Sequence, residues 1–126
     1  MEEPVFLRVE DVEELHIMAL DRFGGSPGLR DRNAFESAVH QPQNVFYYGG
    51  GDLFDMAAAY CFHIAQTQAF LDGNKRTGVA AAIVFLEANG KPITGDSMRL
   101  HGALIDVANK KLDRDGLAEI LREMTA

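Results

Sequence analysis

The sequence predicts an all-α protein built around two buried central helices. Nearly every apolar pattern in the chain has the spacing of a helix, and two long segments are apolar over almost their whole circumference. Helices of that kind belong in the middle of a bundle, with amphipathic helices packed around them. No repeat, low-complexity tract or linker divides the 126 residues, so we expect one domain spanning residues 1–126.

The first half of the chain predicts two helices and then a loop or hairpin. Gly24 ends the first helix, whose apolar residues recur at i, i+3, i+7 and i+11. Asp31 is placed to cap a second, short helix through Val39, which Pro42 ends. Aromatic residues followed by three glycines in residues 44–51 predict a flexible loop or a small hairpin. The apolar face of the first helix consists of Val12, Leu15, Ala19 and Phe23.

The two central helices are predicted on either side of a short polar turn. Asp52 caps the first of them, and the turn occupies residues 67–73. The second central helix is expected over residues 74–88, before an Asn-Gly pair that ends it. Two further amphipathic helices are expected over residues 97–110 and 114–124.

Composition excludes several classes of function. The net charge of −7, from 12 basic and 19 acidic side chains, argues against a general nucleic-acid-binding protein, which needs a basic face. Cys61 is the only cysteine, so it cannot form an internal disulfide, and we expect a buried structural thiol in a reducing, cytoplasmic compartment. The chain starts without a basic segment typical of a signal peptide, and its longest uncharged run, residues 56–71, is too short to span a membrane.

The polar turn carries the residue types of a phosphate and metal site. Asn74, Lys75 and Arg76 fall on the first turn of a helix, where free N–H groups and the helix dipole attract an anion. Gly73 allows close approach to its backbone, and Asp72 is the kind of hard oxygen ligand that magnesium uses beside phosphates. The turn therefore suits a magnesium-bound nucleoside polyphosphate. An ordinary capped helix start with solvated cations explains the residue types equally well, and by residue type alone it is the more common case.

No other cluster offers a rival site. His16, His40, His63 and His101 lie on separate elements and lack the spacing of a metal site. We expect His63 to have a hydrogen-bonded role in the core, and His40 and His101 to lie at the surface or rim. Phe70 is expected to point into the core and anchor the turn.

Residues 68–76 read Q-A-F-L-D-G-N-K-R, which resembles the H-P-F-x-[DE]-G-N-[GK]-R signature of the Fic/Doc superfamily. Every specified position fits except the first two. Lys75 and Thr77 resemble the Doc branch, the death-on-curing toxins, whose members are also this short. Further resemblance extends over residues 22–31, 35–38 and 84–90, so that it covers most of the chain.

The resemblance implies a Fic/Doc-type helical bundle that transfers part of ATP to a protein hydroxyl. It makes residues 44–51, the predicted loop or hairpin, the flap that lines up the target segment. Most Fic enzymes move AMP, whereas the Doc branch phosphorylates a translation factor, elongation factor Tu, and is held inactive by a Phd-like antitoxin protein. It implies that Asp72 binds magnesium and that Gln68 and Arg76 occupy catalytic positions. It places the phosphates of ATP against Gly73, Asn74, Lys75 and Arg76.

Gln68 limits the functional prediction. The family has a histidine there, which accepts the proton of the target hydroxyl, whereas a glutamine amide does not titrate near neutral pH. Loss of such a base costs roughly 10²–10⁴ in rate. Phosphoryl transfer depends mainly on positioning and charge stabilisation, and a glutamine can still orient a hydroxyl. We therefore expect a slow transferase; the alternative is a degenerate domain that binds nucleotide or a partner protein without turnover.

Overall fold

The computed structural model describes residues 2–125 and confirms the all-α fold. Within these residues there is no sheet, and strand-like pairing is limited to two isolated bridges. None of the helices in this span is both long and apolar enough to cross a membrane. The six α-helices are α1 (Val9–Phe23), α2 (Arg32–Asn44), α3 (Leu53–Thr67), α4 (Asn74–Ala88), α5 (Met98–Ala108) and α6 (Arg114–Glu123).

The helices α3 and α4 form the centre of the bundle, as the sequence predicts. They make the most extensive contact in the molecule, with α2 and α6 packed on α3 and α1 packed on α4. Gly78 permits their close approach, because a Cβ at this position would lie 2.8 Å from the carbonyl oxygen of Cys61. Cys61 is fully buried, which confirms the structural thiol, and burial raises the pKa of its thiol to about 12. The turn that joins α3 to α4 is thus held by two closely packed helices.

Two predictions are wrong: the end of the second helix at Pro42, and the loop or hairpin, expected to be a flap, over residues 44–51. Pro42 does not end α2 but lies buried inside it, and the chain continues as a π-helical turn, Val45–Gly49, rather than a loop or hairpin. Proline removes only its own N–H, and the backbone N–H of Val45 still donates to the carbonyl of Gln41. The π-helical turn is held by packing, since the ring of Phe46 meets the ring of Phe6 edge-on at 6.0 Å.

The loop between α1 and α2 lies along the polar turn. Leu29 and Phe70 form an isolated antiparallel bridge. Next to it the N–H of Arg30 donates to the carbonyl of Ala69 at 2.6 Å, and the N–H of Leu71 donates to the carbonyl of Gly28 at 3.1 Å. Because a chain segment far away in sequence is hydrogen-bonded to the turn, the turn has a defined backbone before any ligand arrives.

Candidate functional site

The polar turn opens into a cavity of about 350 Å³ that contains all six predicted site residues. The cavity lies between the end of α3 and the first turn of α4. Its lining consists of Ala65, Gln68 and Leu71 together with Asp72, Gly73, Asn74, Lys75 and Arg76. The structure therefore brings together the residues that the sequence analysis assigned to phosphate, metal and catalytic roles.

Free backbone donors gather at the start of α4. Gly73 is the N-cap residue, with φ 80° and ψ 15°, a left-handed conformation that glycine adopts without strain. The first backbone bond of the helix runs from the N–H of Thr77 to the carbonyl of Gly73, and the Thr77 hydroxyl donates to the same oxygen at 2.7 Å. Within residues 2–125 no protein group accepts from the N–H groups of residues 73–76. Four donors at the positive end of a helix dipole have the chemistry that suits an anion.

Asp72 is fixed by the loop that lies along the turn. Its Oδ2 accepts a hydrogen bond from the backbone N–H of Ser26 at 2.7 Å, and its side chain is exposed to solvent. One carboxylate oxygen is thereby anchored while the other remains available. A single anchored carboxylate beside free helix donors fits magnesium, which binds proteins through one or two carboxylates and takes its other ligands from phosphates and water.

Asn74 braces the turn with its side chain. Its Nδ2 donates to the carbonyl of Phe70, and its Oδ1 accepts from the N–H of the same residue, both at 3.0 Å. The amide is thus engaged with protein, so any contact of Asn74 with phosphate falls to its backbone N–H. Phe70 is 4% exposed and its ring lies 4.9 Å from that of Phe35, which confirms its role as the anchor of the turn.

Lys75 and Arg76 carry the positive charge of the site. Both are exposed, and within the described residues neither has a carboxylate within salt-bridge distance. The guanidinium carbon of Arg76 lies 4.2 Å from the centre of the Phe23 ring. A cation–π contact of this kind does not require the N–H donors of the guanidinium, which can still bind an anion. His101 lies nearby at the rim, as predicted, and its burial, followed by the charge of Arg76, lowers its pKa.

Gln68 ends α3 in a left-handed conformation, with φ 51° and ψ 43°. Its side chain is exposed and lines the cavity. No histidine is among the residues that line this cavity, so none of them replaces the missing imidazole of the family motif. A glutamine amide at this position can donate and accept hydrogen bonds but cannot abstract a proton near neutral pH.

The sequence analysis did not assign a role to His16, which contacts the turn from behind. It is 4% exposed, and its Nε2 lies 2.8 Å from the carbonyl oxygen of Asp72. Its position four residues after Val12 and three before Ala19 puts it on the apolar face of α1, which is the pattern that could have revealed it. A histidine on a buried face needs a polar partner, and the turn provides one.

The other predicted histidines lie away from the cavity. His63 is half-buried and its Nε2 accepts a hydrogen bond from Nη1 of Arg114 at 3.1 Å, which confirms its hydrogen-bonded role. Burial, and then the charge of Arg114, lower the pKa of His63 to about 4. His40 is exposed, as expected.

A larger cavity, of about 490 Å³, lies beside the end of α3 and the loop before α6. Its polar side chains are those of Gln66, Lys110, Lys111 and Asp113. The start of α6 borders it, but the side chain of Asp113 caps that helix by accepting from the N–H of Gly116, and none of the predicted site residues lines the cavity. The chemistry of the lining, rather than the volume, therefore identifies the smaller cavity as the candidate site.

Comparison with known proteins places the chain in a family. The sequence profile of the Fic/DOC family matches residues 6–86. The protein kinase doc of Escherichia phage P1 is 32% identical over 116 residues, which is 91% of this chain and 91% of that protein. The toxin Doc of Mycolicibacterium smegmatis is 37% identical over 110 residues, 82% of this chain and 83% of that protein. With the profile matching more than half of its residues and relatives aligned over most of its length, this chain belongs to the Fic/DOC family.

Proposed function

We propose that this protein is the toxin of a toxin–antitoxin pair and that it transfers a phosphoryl group from magnesium-bound ATP to a protein hydroxyl. The observation that carries the proposal is the convergence of four free N–H groups, Lys75, Arg76 and the anchored carboxylate of Asp72 on one cavity. That set offers charge and hydrogen bonds to a polyphosphate. Phosphoryl transfer needs little else from a protein, because positioning and electrostatic stabilisation supply most of its catalysis.

Each group has a role in this proposal. The N–H groups of residues 73–76 hold phosphate oxygens, Lys75 adds a point charge, and Arg76 offers a planar, bidentate contact. Asp72 holds magnesium, which neutralises phosphate charge when it is bound. Gln68 orients the acceptor hydroxyl by hydrogen bonding, without taking its proton.

The names of the relatives favour transfer of the phosphoryl group over transfer of AMP, since the phage P1 relative is named a protein kinase. The acceptor in our proposal is a hydroxyl of a translation factor, and elongation factor Tu is the first one to test. Because no imidazole lines the cavity, the expected rate is roughly 10²–10⁴ below that of a site with a general base.

Label transfer tests this activity. Purified protein is incubated with magnesium and with ATP labelled at either the α or the γ phosphate, first with elongation factor Tu and then with a cell extract. Label from the γ position alone on a protein band is the expected result. Label from the α position alone would mean AMP transfer, and no label from either would exclude a transferase.

The second candidate function is a domain that binds nucleotide or a partner without turnover. Gln68 favours it, because this residue lines the cavity where the family motif has its base. Both candidates predict affinity for magnesium-ATP that falls in Lys75→Ala and Arg76→Ala. Label transfer by the wild-type protein separates them. The variant Gln68→His then tests the scaffold: growth arrest in cells that express it shows that only the base is missing, while an inert variant shows that other parts of the site have decayed as well.

The proposed antitoxin has a suitable surface next to the cavity. An apolar groove of about 260 Å³ runs between α1, α4 and α5, with Met18 58% exposed and Phe23 55% exposed at its edge. Arg22, Arg76 and His101 also line it, in a chain whose net charge is −7. A basic rim on an apolar floor fits an acidic amphipathic helix of the antitoxin. Arg76 lines both groove and cavity, so such a helix would compete with nucleotide for it.

Co-expression tests the partner. The product of the reading frame adjacent to this gene is expected to copurify with the wild-type protein. The variant Met18→Asp should bind it more weakly, because the new carboxylate puts a negative charge in the groove that repels an acidic helix. Glu14→Gln, at an exposed position that does not line the groove, is the control. Retention of the complex by Met18→Asp would move the partner to another surface.

A further inference from the structure

His16 is a buried imidazole with a defined proton position. It lies on α1 behind the polar turn, and its Nε2 is 2.8 Å from the carbonyl oxygen of Asp72. A carbonyl oxygen can only accept a hydrogen bond, so the proton of this bond belongs to Nε2. His16 does not line the candidate cavity, and the proposed function gives its side chain no role. It does not contact the charged side chains that are proposed to bind phosphate.

Two contacts aim the imidazole at that carbonyl. Its ring stacks on the ring of Phe70, with centroids 3.6 Å apart and an angle of 10° between the planes. Its Cδ2–Nε2 edge is close to Gly73, where an added Cβ would lie 3.5 Å from Cδ2 of His16. Phe70 is itself fixed by the side chain of Asn74. The ring is thus confined, and its hydrogen bond has a fixed direction.

The hydrogen bond also sets the direction of a backbone donor. The peptide bond between Asp72 and Gly73 is trans, and in a trans peptide the C=O and N–H groups point in opposite directions. Because the carbonyl points towards α1, the N–H of Gly73 points away from α1. That N–H has no acceptor within residues 2–125 and belongs to the set of four free donors at the start of α4.

We propose that His16 is a positioning residue, which holds the Asp72–Gly73 peptide so that the N–H of Gly73 faces a bound phosphate together with the first amides of α4. The inference rests on the proposed binding of magnesium-ATP at this turn. A donor that is already oriented loses less entropy when the anion binds, so the imidazole increases affinity without touching the ligand. His16 acts through the backbone and has no part in proton transfer to substrate.

A matched pair of variants tests the donor. His16→Phe keeps a ring that can stack on Phe70 but has no N–H, whereas His16→Gln keeps a donor at about the reach of Nε2 without the ring. The affinities for magnesium-ATP and for inorganic pyrophosphate are measured by calorimetry, after circular dichroism has shown that both variants fold. We expect His16→Phe to weaken both ligands about tenfold, the net effect of one hydrogen bond, and His16→Gln to restore most of the loss. Unchanged affinity in His16→Phe, or equal losses in both variants, would overturn the inference.

Nuclear magnetic resonance of the unliganded wild type separates this inference from the proposed function. The expected result is an imidazole of His16 protonated at Nε2, with a slowly exchanging proton, and a Gly73 amide that shifts on addition of pyrophosphate. If only Nδ1 carries a proton, the positioning role is overturned. Because this measurement uses the wild type, it decides the matter even if His16→Phe does not fold. A wild-type protein that binds neither pyrophosphate nor magnesium-ATP, while Nε2 is protonated, would instead overturn the proposed nucleotide site.

Discussion

The guanidinium of Arg76 makes a cation–π stack over the ring of Phe23, with its central carbon 4.2 Å from the centre of the ring. Phe23 is the last residue of α1 and Arg76 lies in the first turn of α4, so the stack connects two helices at the edge of the candidate site. The sequence analysis placed Phe23 on the apolar face of its helix, yet the residue is 55% exposed. Its ring holds the cation that is proposed to bind phosphate.

Removing the ring should therefore loosen Arg76. We expect Phe23→Leu to weaken magnesium-ATP binding by about two- to fivefold, because an exposed cation–π contact contributes roughly 0.5–1 kcal/mol. Phe23→Tyr retains the ring and is the control, with wild-type affinity expected. Calorimetric titration of the three proteins at one salt concentration decides the matter, and identical affinities would show that the stack does not orient Arg76.

The contact of Asp72 with Ser26 and its proposed role as a magnesium ligand should be separable by mutation. Asp72→Asn keeps an oxygen that can accept from the N–H of Ser26 but removes the charge, so its thermal midpoint should stay close to that of the wild type. We expect its affinity for ATP in the presence of magnesium to fall about tenfold, as for loss of a contact with a charged group. Asp106→Asn, at an exposed position on α5, controls for the change in net charge. A magnesium dependence equal to that of the wild type would remove Asp72 from the metal site.

Two helix glycines, one at the contact between the central helices and one on α5, should respond in opposite ways to substitution by alanine. Gly78→Ala should destabilise the protein by about 1–3 kcal/mol, because its Cβ would lie 2.8 Å from the carbonyl oxygen of Cys61. Gly102→Ala is the matched control in the middle of α5, where no atom lies within 4 Å of the added Cβ. It should stabilise the protein by about 0.5–1 kcal/mol through higher helix propensity. Urea denaturation measures both, and a neutral Gly78→Ala would show that α3 and α4 can move apart at little cost.

Local patterns predicted the helices and the composition of the candidate site. The caps at Asp31 and Asp52 and the start of α4 at Asn74 agree with the structure, because short-range hydrogen bonds and apolar periodicity determine such positions. The last two helices begin and end within two residues of the predicted bounds. Asp72 to Arg76 line one cavity because they are consecutive residues that lead from the polar turn into the first turn of α4.

Tertiary contacts explain what the patterns missed. Pro42 is a helix terminator by local rules, but its burial and the packing of Phe46 carry the helix past it. His16 contacts Asp72, 56 positions later in the chain, and Ser26 contacts the same residue from another loop. No periodicity in the sequence encodes which turn a buried histidine meets, since that depends on how α1 docks on α4.

The backbone at Gln68 makes this position selective for side-chain shape. Its left-handed conformation is costly for residues with a branched Cβ and acceptable for asparagine. Gln68→Val should lower the free energy of unfolding by about 1 kcal/mol, while Gln68→Asn should leave it unchanged or raise it slightly. Thermal melts of the two variants test this. Equal stabilities would mean that the end of α3 relaxes into another conformation.

Acid should destabilise the fold through His63. Its pKa is about 4 in the folded protein, against an ordinary value of 6.5, so the unfolded chain binds the extra proton first. The contribution of the neutral His63 ring to the free energy of unfolding is therefore fully present above about pH 6.5. It is lost as the pH falls from there towards 4. We expect a loss of about 1–2 kcal/mol over this range, after allowance for solvent screening at a half-buried site.

The variant His63→Gln isolates this term from the titration of carboxylates. It should be less stable than the wild type at pH 7 but should lose less stability between pH 7 and pH 4, as followed by urea denaturation at several pH values. His40→Gln, at an exposed position, should keep the wild-type slope. Parallel curves for the wild type and His63→Gln would contradict the assignment.

The backbone of residue 68 also has a genetic consequence. Histidine is among the residues that enter the left-handed region most readily, so it fits the conformation that Gln68 already has. The codons of glutamine and histidine differ only in their third base. A cell that carries this gene is therefore a single transversion away from placing an imidazole on the proposed phosphate-binding turn, and the reverse change would remove it again. Cultures that overproduce the protein should be sequenced at this codon before any measured rate is assigned to Gln68.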